Sequence, residues 1–108
     1  MIGFNIKIEE NNNIPTIHLK GELDIHSSQS LDQTIQELVS KQVNKIILNM
    51  QDIQYMDSTG LGTIAKNAKK LSESNGEMII AGSQPRIKQV FEFSGLLNKE
   101  NIKLIDNN

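Results

Sequence analysis

The stretch 54–63, QYMDSTGLGT, gathers the groups of this chain best suited to chemistry. Asp57 sets a carboxylate beside two hydroxyls, Ser58 and Thr59, and Gly60 and Gly62 follow at once. Four uses fit such a cluster. Polar side chains between a strand and a helix commonly cap the helix, so Asp57 or Ser58 can accept from the amides at 60 or 61, where an acid also suits the positive helix end. A glycine-rich turn before a helix can hold an anion. The stretch nevertheless lacks a P-loop lysine, and Ala65 stands where G-x-G-x-x-G needs its last glycine. A nucleophilic serine would sit in G-x-S-x-G, which D-S-T-G does not match. A triad would also require His18, in a strand pattern, or His26, in a connection, to reach Ser58. The fourth use is a regulatory phosphosite. A phosphoryl group on Ser58 adds about −1.5 to −2 charge, which a helix start tolerates, so a docking surface changes while the fold survives.

The flanking patterns supply a strand before this cluster and a helix after it. An apolar strand ends at Tyr55–Met56, and a helix is expected to begin near Gly60, with Leu61, Ile64, Ala65, Ala68 and Leu71 on one face. Gly76 is expected to close that helix in the left-handed conformation. Upstream, FNIKIEE and IPTIHLKG alternate with a period of two around the turn cluster Asn11–Asn13 and read as a hairpin that Gly21 ends. ELDIHSS is a connection in which Ser27 or Ser28 is expected to cap a helix carrying Leu31, Ile35, Leu38 and Val39. KIILNM reads as a central strand covered on both faces. EMIIAG is a further strand. SQPRIKQVFEFSGLL opens with a serine cap and Pro85 and carries Ile87, Val90, Phe91 and Phe93 as its apolar face. NIKLID is a last strand, and Asn107–Asn108 a frayed tail. The order β-β-α-β-α-β-α-β implies an α/β fold with a small, mostly parallel sheet of four to five strands and helical crossovers.

The 108 residues make one domain, 1–108, large enough for a core without staples. A net charge of −2 and scattered lysines argue against nucleic acid as a partner, and four aromatic residues in all are too few for a base-stacking surface. The absence of cysteine excludes disulfides and thiolate metal sites. No apolar run approaches the ~20 residues of a membrane span, and the N-terminus lacks the pattern of a secretory signal. A cytoplasmic protein with no cofactor or metal of its own is expected. Met50, Met56 and Met78 are expected in the core, and Tyr55 packed at a strand end. Lys66, Asn67, Lys69 and Lys70 form the polar face of the helix after the cluster, where Lys66 and Asn67 would flank any docking site.

YMDSTGLGT resembles the signature of bacterial anti-sigma factor antagonists, single-domain members of the STAS superfamily. GELDIHSSQSL at 21–31, KIILNMQDIQYMDSTGLG at 45–62 and QPRIKQVFEFSGL at 84–96 resemble further family segments in the same order, so the likeness spans nearly the whole chain. It implies a STAS-like sheet with helices mainly on one face. It further implies a non-enzymatic switch that binds an anti-sigma factor with serine kinase activity, itself holding ATP or ADP, and thereby frees a sigma factor. Ser58 matches the serine which that kinase phosphorylates to weaken the complex, and a metal-dependent serine phosphatase reverses the modification. Asp57 and Thr59 match its neighbours. Gly60, Leu61 and Gly62 match the turn that shapes the docking surface, and Asp24 matches a position near the loop, as a partner contact or as a local cap. The same fold also serves as a constitutive interaction module, in transporter complexes or stress-signalling scaffolds, in which Ser58 would be only a helix cap.

Overall fold

The computed structural model describes residues 3–99 and 101–105; the tail expected at Asn107–Asn108 lies outside them. Along the chain run β1 (Asn5–Asn11), β2 (Ile14–Leu23), α1 (Ser27–Ser40), β3 (Lys45–Met56), α2 (Ser58–Ser72), β4 (Glu77–Ala81), α3 (Pro85–Ser94), a 3₁₀ turn (Leu96–Asn98) and β5 (Ile102–Ile105). The sheet order is β1-β2-β3-β4-β5. The β1–β2 pair is antiparallel, and every later pair is parallel. The hairpin turns on Asn12 and Asn13, both at positive φ (55° and 66°). A two-residue hairpin loop with both residues left-handed matches the twist of its strands, and asparagine tolerates that conformation better than most residues.

Burial alternates along β3: Ile46, Leu48 and Met50 are fully buried, whereas Lys45, Ile47 and Asn49 are half-buried. The helices therefore cover one face of the sheet, and the expected burial of KIILNM on both faces does not hold. Ile17, Leu19, Leu23, Ile35, Ile64, Leu71, Met78 and Phe91 fill the space between sheet and helices, with Met50 and Met56 as expected. Proline at 85 occupies the first turn of α3, and Gly95 closes that helix at φ 80°.

Several local expectations are corrected. Gly21 does not end β2. It takes φ +112°, the register slips between Gly21 and Glu22, and the strand resumes to Leu23. A Cβ at Gly21 would lie 2.3 Å from the Gly3 carbonyl oxygen, so the irregularity requires glycine. Asn75, at φ 58°, takes the left-handed position after α2. Gly76 follows it where its N–H donates to the Leu71 carbonyl at 2.7 Å. Neither Ser27 nor Ser28 caps α1, and Ser83 does not cap α3, where Gln84 is the cap position without a side-chain hydrogen bond. Phe93 is 87% exposed and lies outside the core, because α3 turns only Ile87 and Phe91 fully inward. Tyr55 is half-exposed rather than packed. Asn67, assigned to a polar face, is completely buried between α1 and α2.

Candidate functional site

Helix α2 starts at Ser58, two residues earlier than its apolar pattern indicates, because Asp57 stops β3 and begins the helix in one residue. Asp57 is extended (φ −98°, ψ −176°), and its Oδ1 accepts from the Gly60 N–H at 3.0 Å. Its carbonyl accepts from the Leu61 N–H at 3.1 Å, the first bond of the helix. The cap is therefore Asp57, the acid of the two residues proposed for that role, and an anion there also faces the positive end of the helix dipole. Ser58, the first residue of the helix, is exposed, and its hydroxyl makes no hydrogen bond among the described residues. Thr59 and Gly62 are exposed beside it, and Leu61 is half-buried.

The loop is fastened to the end of β2. The Asp57 N–H donates to the Leu23 carbonyl at 3.1 Å. Gly60 lies against the same residue: a Cβ there would stand 2.8 Å from the Leu23 oxygen and 2.9 Å from its Cγ. Gly60 is thus needed for close approach, whereas Gly62 faces open space. Asp24 follows directly after Leu23. Its Oδ1 accepts from the N–H groups of His26 (2.9 Å) and Ser27 (3.0 Å), and its own N–H donates to Ser27 Oγ at 2.9 Å. Ser27 Oγ in turn donates to the Glu22 carbonyl at 2.7 Å. Asp24 thus satisfies the start of α1 in place of the expected serines. The Ser27 N–H, ahead of the His26 N–H and the Ser27 hydroxyl, holds the Asp24 carboxyl below its ordinary 3.8 against the opposing cost of burial.

Two grooves flank the first turns of α2. One, of about 320 Å³, runs between Ser58, Leu61 and Ala65 on α2 and the chain from Ser94 through Leu96 to Lys99. The other, of about 200 Å³, lies toward α1, where Thr59, Thr63 and Lys66 face Ser28, Asp32 and the exposed Ile25. Lys66 Nζ pairs with Asp32 Oδ1 at 3.0 Å, and buried Asn67 donates from Nδ2 to the same oxygen and to the Thr63 carbonyl, each at 2.9 Å. The Asn67 amide first, and Lys66 after it, hold Asp32 below its ordinary value against burial.

The predicted residues fall into three places. Asp57 to Gly62 form one turn, Asp24 is joined to it through Leu23, and Lys66 lies farther along α2, tied to α1. Sequence reasoning did not find Asp32, Ile25, Ser94, Leu96 or Lys99. No spacing signal links them to Ser58, since they reach it only through the fold. A hydrolytic use of Ser58 loses His18, whose Nε2 lies 3.0 Å from Glu9 Oε1 and whose Nδ1 lies 3.1 Å from Asn49 Nδ2. Among the described residues, no three His, Asp or Glu side chains are grouped to hold a metal ion, and no helix is long and apolar enough to cross a membrane.

The family model for the STAS domain matches residues 5–107. The chain is similar to the anti-sigma F factor antagonist of Paenibacillus polymyxa, 30% identical over 96 residues that make up 88% of this chain and 82% of that one. It is equally similar to the anti-sigma-B factor antagonist of Staphylococcus aureus, 30% identical over 95 residues and 88% of each chain. The fold matches that of the Bacillus cell fate determinant SpoIIAA in its phosphorylated form with a TM-score of 0.76 and 26% identity, covering 98% of this chain and 92% of that one. A family match that runs through all five strands and the three helices between them means that this chain belongs to the STAS domain family.

Proposed function

We propose that this chain is a cytoplasmic anti-sigma factor antagonist switched at Ser58. Unphosphorylated, it binds an anti-sigma factor that is also a serine kinase, holding ATP or ADP, and so releases a sigma factor. Its docking surface is the first turn of α2, Asp57 to Gly62, together with Asp24 at one edge and Lys66 at the other. Transfer of the γ-phosphoryl of ATP forms a bond from Ser58 Oγ to phosphorus as the bond to ADP breaks, and the hydroxyl proton passes to a base of the kinase. The added charge disfavours the complex, and a metal-dependent serine phosphatase removes it. The domain is substrate and switch rather than catalyst.

The observation that carries this reading is the idle hydroxyl of Ser58. It is exposed at the start of a helix whose capping bond is made by Asp57. The constitutive alternative gives Ser58 the work of a cap, and that work is already done by its neighbour. The antagonist names of two relatives at 30% identity support the same reading, as does the phosphorylated form known for SpoIIAA.

The test is the intact mass of the protein isolated from cells in growth and under stress. A species heavier by about 80 Da, the phosphoryl increment, should map to Ser58 and vanish in Ser58→Ala. Ser58→Asp should bind the kinase partner far more weakly than wild type. A single unmodified mass in every condition, or equal binding by Ser58→Asp, would refute the switch.

A further inference from the structure

The groove beside Ser58 contains one ionisable side chain, Lys99, among the residues that line it. Lys99 follows the 3₁₀ turn after α3, so the fold brings a cation from the far end of the chain to the wall opposite Ser58. Lys66 pairs with Asp32, Lys70 with Gln36, and Lys45 and Lys103 with Glu77, whereas the other lysines without such a partner among the described residues, Lys7, Lys20, Lys41 and Lys69, do not line this groove. Lys99 has no such partner among the described residues. The rest of the lining is small or apolar, with Leu61, Ala65, Gly95 and Leu96 forming the floor and Ser94 turned to its own backbone, donating to the Phe91 carbonyl at 2.8 Å. The acid nearest in sequence, Asp57, has Oδ1 committed to the Gly60 N–H. A hydroxyl and an ammonium without a partner among the described residues thus share a groove in whose lining Lys99 is the one charged side chain.

We infer that Lys99 is the cation that holds a phosphate carried by Ser58, pairing with it across the groove and covering the apolar floor in the modified state. This rests on the proposal that Ser58 is phosphorylated, and it adds a regulatory part that the loop signature does not contain. In the unmodified protein the ammonium has no carboxylate partner among the described residues, and the groove over Leu61, Ala65 and Leu96 is open. In the modified protein the lysine stem, which can lie along apolar surface while its head meets the charge, closes over that floor. Phosphorylation then acts twice on a docking partner: it adds negative charge, and it withdraws the apolar groove together with the one cation in it. Lys99 is a positioning residue in this scheme and touches no reacting atom of the kinase.

The experiment uses the full chain with phosphoserine installed at 58 during translation, so no kinase is needed. The second ionisation of the phosphate, near 6 when unperturbed, is followed by its phosphorus resonance against pH. A nearby ammonium favours the dianion and lowers that value. Lys99→Gln should therefore raise it by about half a unit or more, and Lys99→Arg should restore it. Lys41→Gln, which removes a charge at the far end of α1, should leave it unchanged. Addition of molar salt should shrink the difference between wild type and Lys99→Gln. Equal titration of wild type and Lys99→Gln overturns the inference, as does an equal shift in Lys41→Gln. Because the modified residue is built in, a null result removes Lys99's role without touching the proposed kinase chemistry. Failure of kinase phosphorylation at Ser58 removes that chemistry and leaves this titration readable.

Discussion

At Ser58 and its neighbour the division of labour is sharp. Asp57 holds the helix start through Gly60, and the Ser58 hydroxyl makes no hydrogen bond among the described residues. Loss of an N-cap costs about 1 kcal/mol, whereas an exposed substitution that breaks no bond changes stability by no more than about 0.5 kcal/mol. Asp57→Ala should therefore lower unfolding free energy in urea by about 1 kcal/mol, and Ser58→Ala should leave the midpoint nearly in place. The reverse ordering would mean that the serine is structural. The two glycines give a second contrast at this scale. Alanine favours a helix interior by about 1 kcal/mol over glycine, and Gly62 has open space where its Cβ would go. Gly62→Ala should raise the denaturation midpoint. Gly60→Ala places a methyl 2.8 Å from a backbone oxygen of β2, and it should destabilise by about 1–3 kcal/mol in spite of its better propensity. A gain in stability for Gly60→Ala would show that Leu23 can retreat.

Among the elements, α1 and α2 are joined by more than apolar contact. Asn67 is wholly buried and spends both amide hydrogens, on Asp32 and on the Thr63 carbonyl. Asn67→Ala takes the buried amide donor from Asp32 and leaves a cavity between α1 and α2, and it removes the leading cause of the low Asp32 pKa. Stability should fall by about 1–3 kcal/mol, and the Asp32 carboxyl, followed by carbon NMR, should titrate closer to its ordinary value; an unmoved Asp32 would place the cause elsewhere. The sequence conveyed these elements well and their joints poorly. The three α-helices and the hairpin were legible from apolar spacing, because a period of two or of 3.6 survives in the residues themselves, and β3 and β4 were legible as short apolar runs, while the 3₁₀ turn was not. Spacing does not say that Gly21 is a slip inside a strand, since the reason is Gly3 pressed against it. Nor does it say that Phe93 points to water while Phe91 points inward, because both fit a loosely drawn helical face. Asn67 looked like surface for a related reason: only the arrival of Asp32 from another helix makes a buried amide tolerable.

At the scale of the whole molecule, three carboxylates among the described residues titrate below their ordinary values: Asp24 through the Ser27 and His26 amides, Asp32 through Asn67 and Lys66, and Glu77 through Lys103 and Lys45. Each folded pKa lies beneath the unfolded one. Each group therefore adds stability above its ordinary value, 3.8 for the aspartates and 4.5 for Glu77, and that stability is lost as pH falls through the lower folded value. Urea unfolding should show constant stability from pH 7 to about 5 and a decline below that. The Glu77 part should weaken with added salt, because its lysine partners are exposed. A flat profile down to pH 3 would contradict these assignments. The candidate site is a product of the same scale. Its centre, Asp57 to Gly62, was legible as a motif, but its walls were not. Asp32 and Ile25 arrive with α1, and Leu96 and Lys99 arrive after α3, so the grooves exist only once the parallel sheet has set those helices side by side.

The placement of the cap on Asp57 has one more consequence. Chaperones and proteases respond to the fraction of a protein that is unfolded, and that fraction is set by bonds in which the Ser58 hydroxyl takes no part. A group added to that oxygen breaks none of them, so a cell can alter what this protein says without undoing the helix start that Asp57 holds. The signal would then lie in the ratio of modified to unmodified chains, both of them folded.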